Sequence, residues 1–310
     1  MKAVIALVGL VASSSCLAFA PQSPLSQQDR CVALSMSSTT AFQPTQSSLE
    51  KLDNLKLSIK KPRGASVGVE FSPINDLSDG DLKILSMQLR KSAKAAVVCS
   101  ADVDSIPKLV KEQESSRGDF PGPLPVIYSG SILDANVVKK VVEGDVTAVV
   151  VDYGASDEAV TSLLGDVGII WKVSSLDELN EVIAADNMGD VVLLSKNLLP
   201  DSVEDSCEEL AEILSKTKSI VTIAKLQSMQ ASNAEIQLGK HYTKLGVSSL
   251  ILEEACVGDE EDIKYTAFAI EALNKKSSSS FSMTGLTGST NGHFGVSSHG
   301  GEVKWRRKTE

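Results

Sequence analysis

The sequence predicts one α/β domain, a single parallel (βα)8 barrel, and three observations carry this prediction. From about residue 65, short runs rich in β-branched residues alternate with longer segments of helical period, which is typical of parallel βαβ units. Eight such units follow one another, and the connections between them are short. The chain has 310 residues, 42% of them hydrophobic, enough for one barrel of about 250 residues. An open doubly wound sheet is the alternative architecture.

Eight apolar runs are the candidate strands, and their almost continuous apolar character is typical of strands that are buried on both faces. They cover residues 66–71, 95–100, 125–129, 148–153, 168–173, 190–195, 219–225 and 249–254. Amphipathic segments between them are expected to form the outer ring of helices.

Capping residues mark the ends of the predicted helices. Ser175 precedes Glu178 by three positions, which is the spacing of a capping box. Ser78 and Ser202 each stand before acidic residues and are expected to begin a helix in a similar way. Helices should end at Gly144, Gly165 and Gly246.

The first 48 residues are expected to form a targeting leader. Lys2, an apolar run too short to span a bilayer and small residues up to Ala18 predict a signal peptide over 1–18. A Ser- and Gln-rich, disordered transit-like segment follows over 19–48, and the barrel is assigned to 49–276. The junction around Phe19 resembles the bipartite leader of algae with secondary plastids, such as diatoms. This resemblance implies a plastid location, in the stroma or at the thylakoid surface; a secreted protein is the alternative.

The last segment, 277–310, differs in composition from the barrel. Between Ser277 and Gly301 it contains no Asp, Glu, Lys or Arg, and Ser and Gly dominate, which predicts disorder. It ends in a basic cluster around a tryptophan, which is either a solvated terminus or a docking segment for a protein partner or an anionic lipid surface. The cluster consists of Lys304, Trp305, Arg306, Arg307 and Lys308.

Composition argues against several classes of function. The net charge of −10 and the pI near 5.0 argue against nucleic-acid binding, which needs an excess of basic residues on one face. The five cysteines show no CxxC pair and no Cys/His cluster, so neither a zinc site nor a disulfide framework is expected. No glycine-rich nucleotide fingerprint follows a strand, and no cofactor, metal or transmembrane segment is predicted.

Four segments, in barrel order, resemble the indole-3-glycerol phosphate synthase family. They are Ser72-Pro73 after strand 1, the stretch 124–134 that begins Leu-Pro-Val-Ile, Lys-Asn-Leu at 196–198 after strand 6, and Gly246 before strand 8. The resemblance implies a barrel of the ribulose-phosphate-binding type. It also implies a carbon–carbon lyase reaction of tryptophan biosynthesis that needs lysines and glutamates as acids and bases.

The residues that the resemblance places at the catalytic positions have changed type. With Ser72-Pro73 as the anchor, the family's strand-1 lysine falls on Val69 and its strand-3 lysine falls on Ser129. Its strand-5 glutamate falls on Lys172, which reverses the charge. The strand-7, strand-8 and strand-6 positions fall on Ala224-Lys225-Leu226, on Glu253-Glu254 and on Leu194-Ser195.

Polar residues at the strand ends are the candidates for any other chemistry, because active sites of this fold lie at the C-terminal ends of the strands. The weak catalytic candidates are Asp152, Lys172, Lys196 and Lys225, since a desolvated lysine beside a carboxylate can act as a base or form a Schiff base. Solvated salt bridges are the structural interpretation of the same residues. The candidate ligand-binding residues are Ser72, Ser129, Asn197 and Glu254.

The leading hypothesis from sequence is therefore a plastid pseudoenzyme. An indole-3-glycerol phosphate synthase-like barrel would serve as a scaffold and bind a protein partner through its surface or through the tail 277–310. Two alternatives remain. One is an active lyase of the tryptophan pathway with a divergent site, and the other is a sensor that binds a small phosphate ligand without reaction.

Overall fold

The computed structural model describes residues 45–61, 64–71, 73–155, 161–185, 190–205, 207–217, 219–227, 233–255 and 260–274. The predicted signal peptide, the transit-like segment up to residue 44 and the tail 277–310 lie outside the described residues.

Eight strands form one closed sheet in which each strand pairs in parallel with the next and β8 pairs with β1, so the predicted barrel is confirmed. The strands are β1 (Ser66–Phe71), β2 (Val98–Ser100), β3 (Val126–Tyr128), β4 (Ala148–Asp152), β5 (Gly168–Val173), β6 (Val191–Leu194), β7 (Val221–Gln227) and β8 (Ser249–Ala255). β1 and β5 have the predicted bounds. β2 begins three residues later than predicted, although the segment before it still pairs with β1 through the Ala96 amide and the Val97 carbonyl.

The described helices are α1 (Gln46–Ile59), α2 (Asp79–Gln88), α3 (Ile106–Ser115), α4 (Ala135–Glu143), α5 (Leu176–Ala184), α6 (Glu208–Lys216), α7 (Ala234–Leu245) and α8 (Glu260–Asn274). Ser78 and Ser175 cap α2 and α5 as predicted, each accepting a hydrogen bond from the amide three residues on. Gly246 ends α7 with φ +109°, a conformation that favours glycine. The expectation for Ser202 was wrong: its hydroxyl accepts from the Glu204 amide within a turn, and α6 begins only at Glu208.

The core has two layers because successive residues of each strand point to opposite faces of the barrel wall. The outer layer lies between the strands and the helices and contains residues such as Val69, Val149 and Leu226. The inner layer fills the barrel with residues such as Val97, Ile170 and Ile223. This alternation decides which polar residues reach the mouth.

The helix α1 closes the N-terminal end of the barrel. Its buried residues Leu52, Leu55 and Ile59 belong to the same apolar cluster as the barrel interior. Lys51 pairs with Asp145 at 2.7 Å, just before β4, and Lys56 pairs with Asp190, just before β6. The helix begins at Gln46, with Thr45 as its N-cap, so it extends three residues into the segment 19–48 that the sequence analysis assigned to the leader.

Gly68→Ala is expected to lower the free energy of unfolding by about 1–3 kcal/mol, the usual cost of overpacking. A methyl group at Gly68 would lie 2.3 Å from the Val97 side chain and 3.1 Å from the Val97 carbonyl oxygen inside the barrel. Gly80→Ala in α2 is the control, because the nearest atom there is 3.6 Å away. Urea denaturation of both variants measures the difference, and equal stabilities would contradict tight packing at Gly68.

Candidate functional site

The C-terminal end of the barrel carries a ring of polar side chains. They occupy the inward-facing positions nearest the mouth, directly above the apolar inner layer. In the order of the strands, these residues are Glu70, Ser129, Asp152, Lys172, Ser195, Lys225, Gln227 and Glu253. Polar residues at this end of a parallel barrel define the usual location of its functional site.

One side of this ring holds a buried ion pair between β1 and β7, the two strands that flank β8. Lys225 Nζ donates to Glu70 Oε2 at 2.7 Å, and the two side chains are only 21% and 8% exposed. Ser129 Oγ donates to the other oxygen, Glu70 Oε1, at 2.6 Å. Glu253 Oε1 lies 3.6 Å from the same ammonium, on the side of β8. Glu70 thus accepts two hydrogen bonds, and Lys225 stands between two carboxylates.

The surroundings of Lys225 keep it charged. Its burial alone would lower the pKa, but the attraction and hydrogen bond of Glu70, helped by Glu253, outweigh that effect and raise the pKa of Lys225 above its usual value of 10.5. Lys225 is therefore an ammonium ion at neutral pH. An ammonium can donate a proton, but it cannot form a Schiff base until it loses one.

The raised pKa makes the stability contribution of Lys225 sensitive to alkaline pH. Because the folded protein holds the proton more tightly than the unfolded chain, the contribution is complete below about pH 10.5 and is lost as the pH rises through the folded-state pKa. The stability difference between the native protein and Lys225→Met should therefore be constant between pH 7 and 10 and shrink above it. Urea titrations across this range test the expectation.

A second ion pair lies further out at the mouth. Lys172 Nζ of β5 is 2.8 Å from Asp152 Oδ1 of β4, and both side chains are substantially exposed. Lys196, in the turn after β6, is exposed, and no ion pair connects it to another residue in the described part of the chain. It is the most available cation at this end of the barrel among those described.

A cavity of about 360 Å³ opens at the mouth on the side of β5 to β8, a volume within the range of small-molecule sites. Its polar wall includes Lys172, Lys196 and Lys225, together with the carboxylates of Asp201 and Glu253. Its apolar wall consists of Val150, Leu193, Leu194, Leu226, Leu238 and Tyr242, and the remaining lining residues are Ser129, Ser195 and Gln227.

The structure brings most of the candidates from the sequence to one place. Ser129, Lys172, Lys196 and Lys225 all line the cavity, and Asp152 stands beside it through its pair with Lys172. Asn197 is exposed in the turn after β6 and does not line the cavity. The other two candidates, Ser72 and the side chain of Glu254, lie outside the described residues.

The catalytic positions that the family resemblance assigned in β1 and β7 do not face the interior of the barrel. The resemblance placed them at Val69 and Ala224, but both belong to the outer layer beneath the helices. The inward-facing neighbours are Glu70 and Lys225. A slip of one position in a strand moves every side chain to the other face. Leu194, aligned with an asparagine of the family, also belongs to the outer layer.

Glu70 is the main residue that the sequence analysis missed. The signal was present, because Glu70 is the only charged residue in a strand that is otherwise fully buried. Such a residue is costly unless it is paired, which marks it as a site candidate. Leu238 and Tyr242 were missed as well, since the period of α7 identifies them only as core residues.

Other reactive groups near the mouth are blocked or distant. The thiol of Cys99 is fully buried, and burial together with the negative charge of Glu70 raises its pKa well above the usual range. His241 lies on α7 and contacts the Asp205 carbonyl oxygen at 3.3 Å, away from the cavity lining. Within the described ranges, no group of three or more His, Cys, Asp or Glu side chains could hold a metal ion.

The architecture of this chain is established by its own sheet, and the family and curated-protein comparisons give no match. The chain is a (βα)8-barrel protein, as its closed parallel sheet establishes. In the described part of the chain, no helix combines the length and the apolar character that crossing a membrane requires.

Three solved structures are similar to this chain at low sequence identity. A 7,8-dihydropteroate synthase from Vibrio fischeri ES114 has 12% identity and a TM-score of 0.47, over 68% of this chain and 92% of that one. A 4-hydroxy-2-oxoglutarate aldolase/2-deydro-3-deoxyphosphogluconate aldolase from TTHB1 has 10% identity and a TM-score of 0.46, over 67% and 93%. A dihydropteroate synthase from Stenotrophomonas maltophilia has 11% identity and a TM-score of 0.43, over 68% and 91%.

Proposed function

We propose that this chain is a non-catalytic (βα)8-barrel protein that binds a small anion at the mouth of the barrel. The observation that carries the proposal is the buried pair of Glu70 and Lys225, whose lysine lines the cavity. A barrel that served only as a rigid body would have no need for a desolvated ion pair beneath an open cavity, because apolar residues of the same size stabilise a core at least as well.

The charges at the mouth are arranged for binding more than for reaction. Lys225 is held as an ammonium by Glu70, and Lys172 is paired with Asp152, so neither amine is free to act as a base. Glu70 accepts hydrogen bonds at both of its oxygens, from Ser129 and Lys225, and is not placed to donate a proton. The groups that usually carry acid–base chemistry in such a site are engaged with one another.

The inward-facing residues of β1 and β7 oppose the chemistry that the resemblance to the indole-3-glycerol phosphate synthase family implies. Where the resemblance expects a lysine on strand 1 and a glutamate on strand 7, the inward positions hold Glu70 and Lys225. The charges of the pair are exchanged between the two strands. An ion pair can persist through such an exchange, but an acid and a base placed for one substrate cannot.

An anion is the expected ligand because the lining holds a lysine from each of three consecutive strand ends. Lys172, Lys196 and Lys225 follow β5 to β7 around one side of the cavity. Two carboxylates, Asp201 and Glu253, line it as well. Lys196 offers the strongest contact, since in the described structure it has no carboxylate partner to displace.

The test is thermal unfolding of the full chain with indole-3-glycerol phosphate, combined with a turnover assay on the anilino-ribulose phosphate substrate. We expect a concentration-dependent rise in Tm without product formation. Lys196→Ala should weaken the rise and Glu253→Gln should strengthen it, because the second change removes a negative charge from the lining. Lys139→Ala on the outer surface of α4 is the matched control. A Tm that does not respond would contradict anion binding, and turnover would contradict the non-catalytic assignment.

An active lyase is the second candidate, favoured by one feature of the site. Lys225 lies between Glu70 and Glu253, and an ammonium in that position can serve as a general acid for a bound substrate. This function requires product formation that is lost in Lys225→Met or Lys172→Ala. It also requires loss of kcat with little change in the binding of indole-3-glycerol phosphate.

A scaffold role in a plastid extends the proposal beyond the barrel. Its support is the sequence of the two ends, the leader 1–48 and the tail 277–310 with its basic cluster. Fusion of residues 1–48 to a fluorescent protein in a diatom tests the location, and secretion of the fusion would overturn it. Capture of the same protein by the full chain but not by a chain ending at residue 276 tests the tail.

A further inference from the structure

We propose that the ligand of the mouth is an amphiphilic anion, whose charged group meets the lysines and whose apolar body enters a slot between β6, β7 and α7. This inference rests on the proposed anion binding and names the class of molecule bound. The apolar slot is defined here as the cavity wall formed by Leu194, Leu226, Leu238 and Tyr242.

The cavity crosses the rim of the barrel wall. Lys172 and Lys225 line it from the inward faces of β5 and β7. Leu194 and Leu226 line it too, yet they belong to the outer layer, which packs against the helices. Neighbouring residues of a strand face opposite sides of the wall, so Lys225 and Leu226 can share one cavity only where it passes over the strand ends.

The wall of the cavity that α7 forms is apolar. Leu238 and Tyr242 are one turn apart on α7 and therefore present one face of that helix to the cavity. The Tyr242 hydroxyl donates to the Pro200 carbonyl oxygen at 2.9 Å, so its hydrogen is already bonded within the protein. The slot is consequently suited to a ring or an aliphatic chain, and the nearby Asp201 carboxylate, which lines the same cavity, disfavours an anionic group there.

The lysine side chains are concentrated on the inward side of the cavity. The inward side holds the ammonium groups of Lys172 and Lys225, beside the Glu253 carboxylate and the apolar side chains of Val150 and Leu193. The outer side holds the four residues of the apolar slot, where burial and the negative charge of Asp201 raise the pKa of Tyr242. A ligand that placed an anionic group outward, in the slot, would lose its hydration without compensation. The orientation that satisfies both ends puts the anion over the barrel axis and the apolar body against α7.

The test compares two phosphate monoesters of similar charge, phenyl phosphate and glycerol 3-phosphate, by calorimetric titration of the full chain. Phenyl phosphate should bind about tenfold or more tightly, because only its ring buries apolar surface in the slot. Equal affinities would overturn the amphiphilic ligand while leaving anion binding intact. Absence of binding by either ester would remove the proposed function itself.

A larger side chain in the apolar slot tests whether the slot holds the phenyl ring. Leu238→Trp should abolish the advantage of phenyl phosphate and leave the affinity for glycerol 3-phosphate nearly unchanged. Leu163→Trp, at a half-exposed leucine outside the lining, is the control for adding an indole ring. If Leu238→Trp proves unfolded by its circular dichroism, Leu238→Phe serves instead and should reduce the advantage in part. An advantage that survives in a folded slot variant would overturn the assignment.

Discussion

Lys225→Met is expected to lower the free energy of unfolding by about 3–5 kcal/mol at pH 7, the usual cost of breaking a buried ion pair from one side. The reason is the carboxylate left behind. Glu70 is almost fully buried, and it would keep only the hydrogen bond from Ser129. Urea denaturation followed by circular dichroism gives the measurement, since a single barrel domain can be compared with its variant at equal slope.

Two further variants separate the pair from a general effect of losing a lysine. Lys172→Met breaks an exposed pair with Asp152 and should cost no more than about 1 kcal/mol. The double variant Glu70→Leu with Lys225→Met removes both charges and should recover most of the stability lost in Lys225→Met alone. If the single variant lost less than the Lys172 control, Glu70 would have to be solvated or neutral.

The same three variants bear on function. A double variant that is stable but no longer binds indole-3-glycerol phosphate would show that the pair is retained for the ligand and not for the fold. Buried ionisable groups beneath a cavity are frequent at functional sites because the fold gains little from them. Replacing both charges by apolar groups should therefore cost little stability but most of the binding.

The barrel could be predicted from the sequence because its signals are local. The run 168–173 is apolar except for Lys172 and is followed by Ser175 and Glu178, and the structure places β5 and the cap of α5 at those residues. The predicted end of a strand was less accurate where the end depends on pairing with a neighbouring strand. β7 continues to Gln227 because β8 offers a partner as far as Glu253, which no local pattern reports.

The site could be predicted only in part, because the two faces of a fully buried strand look alike in sequence. In β1 all six residues are buried, so alternation between polar and apolar residues could not fix which of them point inward. The resemblance at Ser72 and Pro73 alone assigned the inward position to Val69. In the structure Val69 faces the helices, and Glu70 faces the interior of the barrel. At β5 the candidate Lys172 does face inward, and its neighbours Val173 and Leu179 are both buried in the outer layer.

The apolar slot illustrates a limit of a different kind. Leu226 and Leu238 are ordinary core residues of a strand and a helix, and their spacing predicts burial in either case. That a cavity reaches them depends on how far α7 stands from the ends of β6 and β7. Such distances arise from the packing of the whole barrel and leave no pattern in the segments concerned.

Leu55→Ala is expected to lower the free energy of unfolding by about 2–5 kcal/mol, the range for truncating a buried leucine. Leu55 is fully buried and packs with Leu52 and Ile59 against the inner layer, so its loss leaves a cavity at the N-terminal end of the barrel. Urea denaturation of the variant measures the cost. The helix α1 is therefore part of the barrel core, although it precedes the first strand.

Leu57→Ala is the matched control, because Leu57 lies two residues away on the same helix and is 79% exposed. Helix propensity changes equally in the two variants, since both replace leucine by alanine within α1. Leu57→Ala should therefore stay within about 0.5 kcal/mol of the native protein. If both variants were equally harmless, α1 would be dispensable, and the barrel floor would be closed by the inner layer alone. A large loss of stability confined to Leu55→Ala would show that packing of α1 against the inner layer stabilises the barrel.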